Sequence, residues 1–117
     1  MNTLLGGGVK LDSSDSKGNT AIHCAAYSGQ LSSLRLLLDF GANVNSKDSE
    51  SSTPLHLATS ENHSEVTELL LERGADVNSI NDSLGTPLHV AAEKSCLEVT
   101  KQLLEKGANI SVIISVS

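Results

Sequence analysis

Between residues 53 and 76 the apolar positions fall into two short groups separated by a polar break. Leu55, Leu57 and Ala58 make a narrow, small-residue face that predicts a first helix. After Asn62, Val66, Leu69 and Leu70 recur at helical spacing, with Glu65, Glu68 and Glu72 on the opposite side. The pattern predicts a second helix that turns leucine toward a core and glutamate toward water. Thr53 before Pro54 marks the start of the first helix, because proline's missing N–H costs nothing in the first turn and a threonine hydroxyl caps free amides. Gly74 supplies the left-handed residue at which helices commonly stop, and "DVNS" at 76–79 makes an extended arm to the next turn.

The same pattern occurs three times. "TPLHLA" at 53–58 returns as "TPLHVA" at 86–91, and His23, His56 and His89 follow one another at intervals of 33. Thr20, Thr53 and Thr86 keep that interval, as do the Gly-Ala pairs at Gly41, Gly74 and Gly107. Chance agreement of five residues is on the order of three in ten million starts, given roughly 5% usage each. The chain divides into units at 15–47, 48–80 and 81–113, with a C-terminal tail at 114–117. Residues 1–14 read as the tail of a preceding unit, since "GVKLDSSD" at 8–15 aligns with "GANVNSKD" at 41–48 and Leu4 and Leu5 align with Leu37 and Leu38. Val112, Ile113, Ile114 and Val116 stand where a fourth turn would begin, and are expected to be exposed or folded back on the last unit. With one Phe, one Tyr and no Trp, a core must be built from Leu, Val, Ile and Ala. No unit can bury its flanks alone, so stability must come from stacking neighbours. Ala25, Ala26, Ala58, Ala91 and Ala92 allow close helix approach.

These residues resemble the ankyrin repeat: a turn, "TPLHxA", a short helix, a second helix ending in a leucine run, then Gly-Ala and a loop. The resemblance spans about residues 3–111. It implies an all-α solenoid of stacked helix-turn-helix units joined by extended loops or β-turns. Three positions depart from the pattern: Ala21-Ile22 replaces Pro-Leu, Ser51 replaces the turn glycine, and Gly85 is displaced by one. Less regular second and third turns are therefore expected. The resemblance also implies that Asn45 and Asn78 are candidate substrates of an asparaginyl hydroxylase, with Leu37 and Leu70 eight residues upstream.

The net charge of -6, from 8 basic and 14 acidic residues, disfavours nucleic acid and anionic membrane as partners, because both need a basic footprint. Seven acids lie between Asp48 and Asp76 against one base, Arg73. They predict an acidic band suited to a protein partner with a basic segment. His23, His56 and His89 hold the same place in each unit, so they belong to the fold rather than to a converging catalytic or metal site. No Cys-x-x-Cys pair, nucleophile elbow or phosphate loop occurs. No catalytic residue, cofactor, metal or small-molecule substrate is expected. Cys24 and Cys96, two units apart, are expected to be reduced thiols of a cytoplasmic protein, the nucleus being the alternative.

What remains is surface. The resemblance implies that partners are gripped by the turn tips and the exposed side of the first helix, on a concave face. The tips map to Ser16, Lys17 and Asn19, to Lys47, Ser49, Glu50 and Ser52, and to Ile80, Asp82 and Ser83. The helix positions are Tyr27, Ser28, Ser60, Glu61, Glu93 and Lys94. Tyr27 and Ile80 are the expected anchors, because binding energy concentrates in a few aromatic or apolar residues within a polar rim. The expected function is a non-catalytic protein-interaction module. The alternative is a spacer within a larger scaffold, channel or ubiquitin-ligase adaptor.

Overall fold

A computed structural model describes residues 4–5, 9–10, 14–83 and 85–108 of the chain. Within them run six helices: α1 (Ala21–Ser28), α2 (Leu31–Asp39), α3 (Pro54–Ser60), α4 (Ser64–Glu72), α5 (Pro87–Glu93) and α6 (Leu97–Glu105). Helices α1, α3 and α5 pack side by side as one layer, and α2, α4 and α6 form a second. Each helix pair is therefore one brick of a row, and the molecule measures 49 × 25 × 22 Å. This is the all-α stack that the resemblance implies. The expectations for Val112, Ile113, Ile114 and Val116 fall outside the described residues.

The core follows the leucine and alanine pattern. Ile22, Leu34, Leu55, Leu70 and Leu103 are fully buried, and Ala26, Ala58 and Ala91 are buried where the inner helices meet. Two sequence expectations fail within this layer: Leu57, assigned to the buried face of its helix, is only half-buried, and Ala92, expected to lie against a neighbouring helix, is exposed.

Each helix end has a defined stop. Gly41, Gly74 and Gly107 take left-handed backbone at φ 98, 93 and 96°. The next residue then donates back into the last turn, as in Ala42 N–H to Leu37 C=O at 3.0 Å and Ala75 N–H to Leu70 C=O at 2.9 Å. The inner helices stop the same way at a position the sequence did not flag, where Gly29, Asn62 and Ser95 lie at φ 73, 58 and 57°. Only glycine adopts this region without steric cost. At Gly29 an added Cβ would also lie 2.7 Å from the His63 ring. Ser95→Gly should therefore raise stability by about 0.5–1 kcal/mol, and Gly29→Ala should lower it by at least about 1 kcal/mol. Paired urea titrations check the opposite signs; equal shifts would refute the strain argument.

The N-terminal segment departs from the periodic alignment. Leu4–Leu5 and Val9–Lys10 pair as antiparallel strands β1 and β2, with Leu4 opposite Lys10. Leu37 and Leu38, their counterparts, are helical.

Candidate protein-binding surface

The first two tips are built by an aspartate at the head of the turn. Asp15 Oδ1 accepts the N–H groups of Lys17 and Asn19 at 2.9 and 3.0 Å. Asp48 Oδ1 accepts those of Glu50 and Ser52, both at 2.9 Å. The N–H donors of Asn19 and Lys17 hold the exposed Asp15 carboxyl below its ordinary range. The second turn is as regular as the first: Asp15 N–H reaches Asn19 C=O and Asp48 N–H reaches Ser52 C=O, each at 3.0 Å. Ser51 simply adopts the φ of 65° that Gly18 adopts at 79°, which corrects the expectation of an irregular second turn. The third turn does differ. Asn81 accepts the Ser83 N–H and spends its own amide on the Ser52 hydroxyl, and left-handed backbone falls at Gly85.

Behind the tips runs a ladder of histidines. Nδ1 of His56 lies 3.2 Å from the Thr53 N–H, so it accepts, and Nε2 must carry the proton. That Nε2–H donates to the Gly85 carbonyl at 2.8 Å in the next unit. His23 makes the same pair of contacts, to the Thr20 N–H at 3.2 Å and the Ser52 carbonyl at 2.9 Å. Both rings are completely buried. Burial pushes the His56 pKa below its ordinary value of 6.5, because the charged ring would lose water it cannot replace. These histidines thus clamp turn to turn.

Of the residues assigned to the surface, Lys17, Tyr27, Lys47, Ser49, Glu50, Glu61, Ile80, Asp82, Glu93 and Lys94 are exposed and Asn19 is half-buried. Tyr27 and Ile80 present 53% and 65% of their surface, a large apolar exposure for anchors. Ser52 is a correction: it is buried, since its carbonyl accepts His23 and its hydroxyl meets Asn81. Tyr27 and Asn19 share one cleft of about 330 Å³, lined also by Cys24, Leu57, Ser28 and Asp48. Cys24 and Leu57 were not anticipated there. They occupy one position of the 33-residue period, and that coincidence in register was the available signal.

The acidic band is dispersed. Asp48 and Asp76 bond backbone N–H groups of their own turns. Glu65, Glu68 and Glu72 flank a groove beside α2, together with Arg35, and Glu68 joins Glu98 and Glu105 in a second groove beside α6. Three of the seven acids of this stretch, Glu65, Glu68 and Glu72, therefore lie on the outer layer, away from the tips. Among the described residues no group of His, Cys, Asp or Glu side chains could hold a metal, and no helix is long and apolar enough to cross a membrane.

Asn45 spans two units. Its amide nitrogen donates to Gly74 C=O at 3.3 Å, and its oxygen accepts the Asp76 N–H at 2.7 Å. Asn78 repeats the first contact with Gly107 C=O at 3.5 Å.

The stop signals, the Thr-His clamps and the two-layer stack are the features by which a repeat family can be recognised. A family model for ankyrin repeats in three copies matches residues 1–81 and 50–113. No curated protein matches the chain. The match runs through nearly the whole sequence, and the chain belongs to the ankyrin-repeat family.

Proposed function

We propose that this chain is a non-catalytic module that binds a partner protein through its turn tips and the exposed side of its inner helices. Ankyrin repeats are in general protein–protein interaction modules. The observation that supports a specific site here is the cleft between α1 and α3, where the exposed Tyr27 ring stands beside Leu57 and Cys24 with Asn19 and Asp48 alongside. Apolar floor and polar rim make the arrangement expected of an anchor site. Four carboxylates (Glu50, Glu61, Asp82, Glu93) against three ammonium groups (Lys17, Lys47, Lys94) leave the assigned face slightly negative, which favours a partner segment with modest basic character. An exposed free thiol at Cys24 favours a reducing compartment, and the cytoplasm is the proposed location.

The test is affinity capture from a cell lysate with wild-type protein and with the Tyr27→Ala/Ile80→Ala double variant. Specific partners should be lost or weakened at least about tenfold, since anchors of this kind are worth roughly 1.5–3 kcal/mol. The melting temperature should stay nearly constant, because both side chains are exposed. Capture of the same set by both proteins would favour the spacer reading instead.

A further inference from the structure

The cleft between α1 and α3 is built from positions that the next junction fills differently. Between the first and second units they carry Asn19, Cys24, Tyr27, Asp48 and Leu57. One period on, the same positions carry Ser52, Leu57, Ser60, Asn81 and Val90. There the Asn81 amide bonds the Ser52 hydroxyl, both residues are buried and Val90 is 1% exposed, so the polar pair closes on itself. The first junction stays open. Asn19, Asp48 and Leu57 are half-buried, and Tyr27, standing where the next unit has a serine, is 53% exposed. An aromatic ring and a carboxylate therefore line one concavity at the first junction, and neither is present at the second.

The carboxylate is held in place and only partly used. Asp48 Oδ1 accepts the N–H groups of Glu50 and Ser52, Oδ2 accepts none among the described residues, and no lysine or arginine among them pairs with it. Asp48 is also the one formal charge lining the cleft, because the His23 ring beside it accepts the Thr20 N–H at Nδ1 and is therefore neutral. An aliphatic anchor seated here would strip water from Oδ2 and offer no donor in return, and an acidic one would meet like charge. A cation on a carbon stem satisfies both walls. Its charge faces the carboxylate and the π face of Tyr27, and its methylenes lie on Leu57 and Cys24. A guanidinium does this better than an ammonium, since it is planar, weakly hydrated, and stacks on a ring while its N–H fork reaches a carboxylate. The volume of about 330 Å³ stands at the small end of the roughly 300–1,000 Å³ of ligand pockets, which suits one side chain rather than a length of chain.

We propose that this cleft takes an arginine side chain of the partner protein, its guanidinium stacked on Tyr27 and hydrogen-bonded to Asp48. The assignment rests on the reading of this face as a protein-binding surface, and it names the residue type that the surface selects. Glu61, one period on from Ser28, is exposed on the adjoining helix and adds a second carboxylate to the same inner face.

NMR titration of the isotope-labelled full chain tests this with capped peptides Gly-Ser-X-Ser-Gly, in which X is arginine, lysine or citrulline. Citrulline keeps the shape of arginine and lacks its charge. The arginine peptide should shift the amide signals of Cys24, Tyr27, Ser28 and Leu57 saturably, and bind about fivefold tighter than the citrulline peptide and about twofold tighter than the lysine peptide. Asp48→Asn should weaken the arginine peptide about fivefold; the amide oxygen can keep the turn, as that of Asn81 does by accepting the Ser83 N–H. Tyr27→Leu keeps bulk at an exposed position and should weaken it about as much. The comparison of the three peptides uses wild-type protein, so it decides the matter even where a variant fails to fold. Equal binding of the arginine peptide and either of the others overturns the proposal. So does an arginine response that is absent from the cleft, that falls instead on Glu65, Glu68 and Glu72, or that ignores Asp48→Asn in a folded variant. The lysate capture decides the broader reading separately: partners lost from the Tyr27→Ala/Ile80→Ala variant, without any preference for arginine in the titration, would mean a protein-binding surface with a different anchor.

Discussion

Replacing His56 by alanine lowers the stability of the fold by about 3 kcal/mol, a large fraction of the roughly 5–15 kcal/mol that holds a domain folded. The loss has three sources at one buried point. The Thr53 N–H and hydroxyl lose the Nδ1 acceptor, the Gly85 carbonyl loses its Nε2–H donor, and the ring leaves a cavity. Each orphaned buried group costs its full desolvation, roughly 1–3 kcal/mol, which is more than the bond itself contributed. The same contact sets a pH dependence in the wild type. The folded ring has a pKa below the ordinary 6.5, so between the two values the unfolded chain binds a proton that the folded chain does not. This contribution is complete above about pH 6.5 and is lost as pH falls through the lower, folded value. Urea midpoints of wild type and His56→Ala at neutral and mildly acidic pH check both parts. A substitution cost under about 1 kcal/mol would show that the clamp is ornamental.

What could be read in advance was whatever the period enforces. Thr53, Pro54 and His56 must sit at a helix start, and Gly74 must sit just past a helix end, because few other residue types satisfy those backbones. Periodicity alone could not say which apolar residue faces the core and which faces a partner. Leu55 and Leu57 look alike in sequence, yet Leu55 is completely buried and Leu57 lines the Tyr27 cleft, a difference decided by where α1 lies. Ser52 was equally opaque, since its burial depends on Asn81 and His23, each 29 residues away. The left-handed stops at Asn62 and Ser95 escaped notice because neither is glycine. The acids between Asp48 and Asp76 formed a band in sequence but a scatter in space, since a helix-turn-helix unit sends its tips and its outer helix to opposite sides.

Two leucines at the same position of the period give the largest contrast the architecture offers. Leu70 and Leu103 are both completely buried, and truncation of either to alanine removes the same atoms, at about 3–4 kcal/mol. The consequences differ because α4 packs against both α2 and α6, whereas α6 packs in its layer against α4 alone. In a row whose stability is the sum of unit and neighbour terms, weakening the middle uncouples both junctions, and weakening an end uncouples one. Leu70→Ala should therefore unfold the whole array in one transition at much lower urea. Leu103→Ala should release the third unit first, leaving the first two folded and giving a broader transition with a smaller apparent m-value. Hydrogen exchange resolves the difference residue by residue: in Leu103→Ala, protection should drop across 86–108 and persist in α1 to α4. Equal, single transitions in both variants would mean that the three units behave as one globule, and the brick-by-brick account of the fold would have to be abandoned.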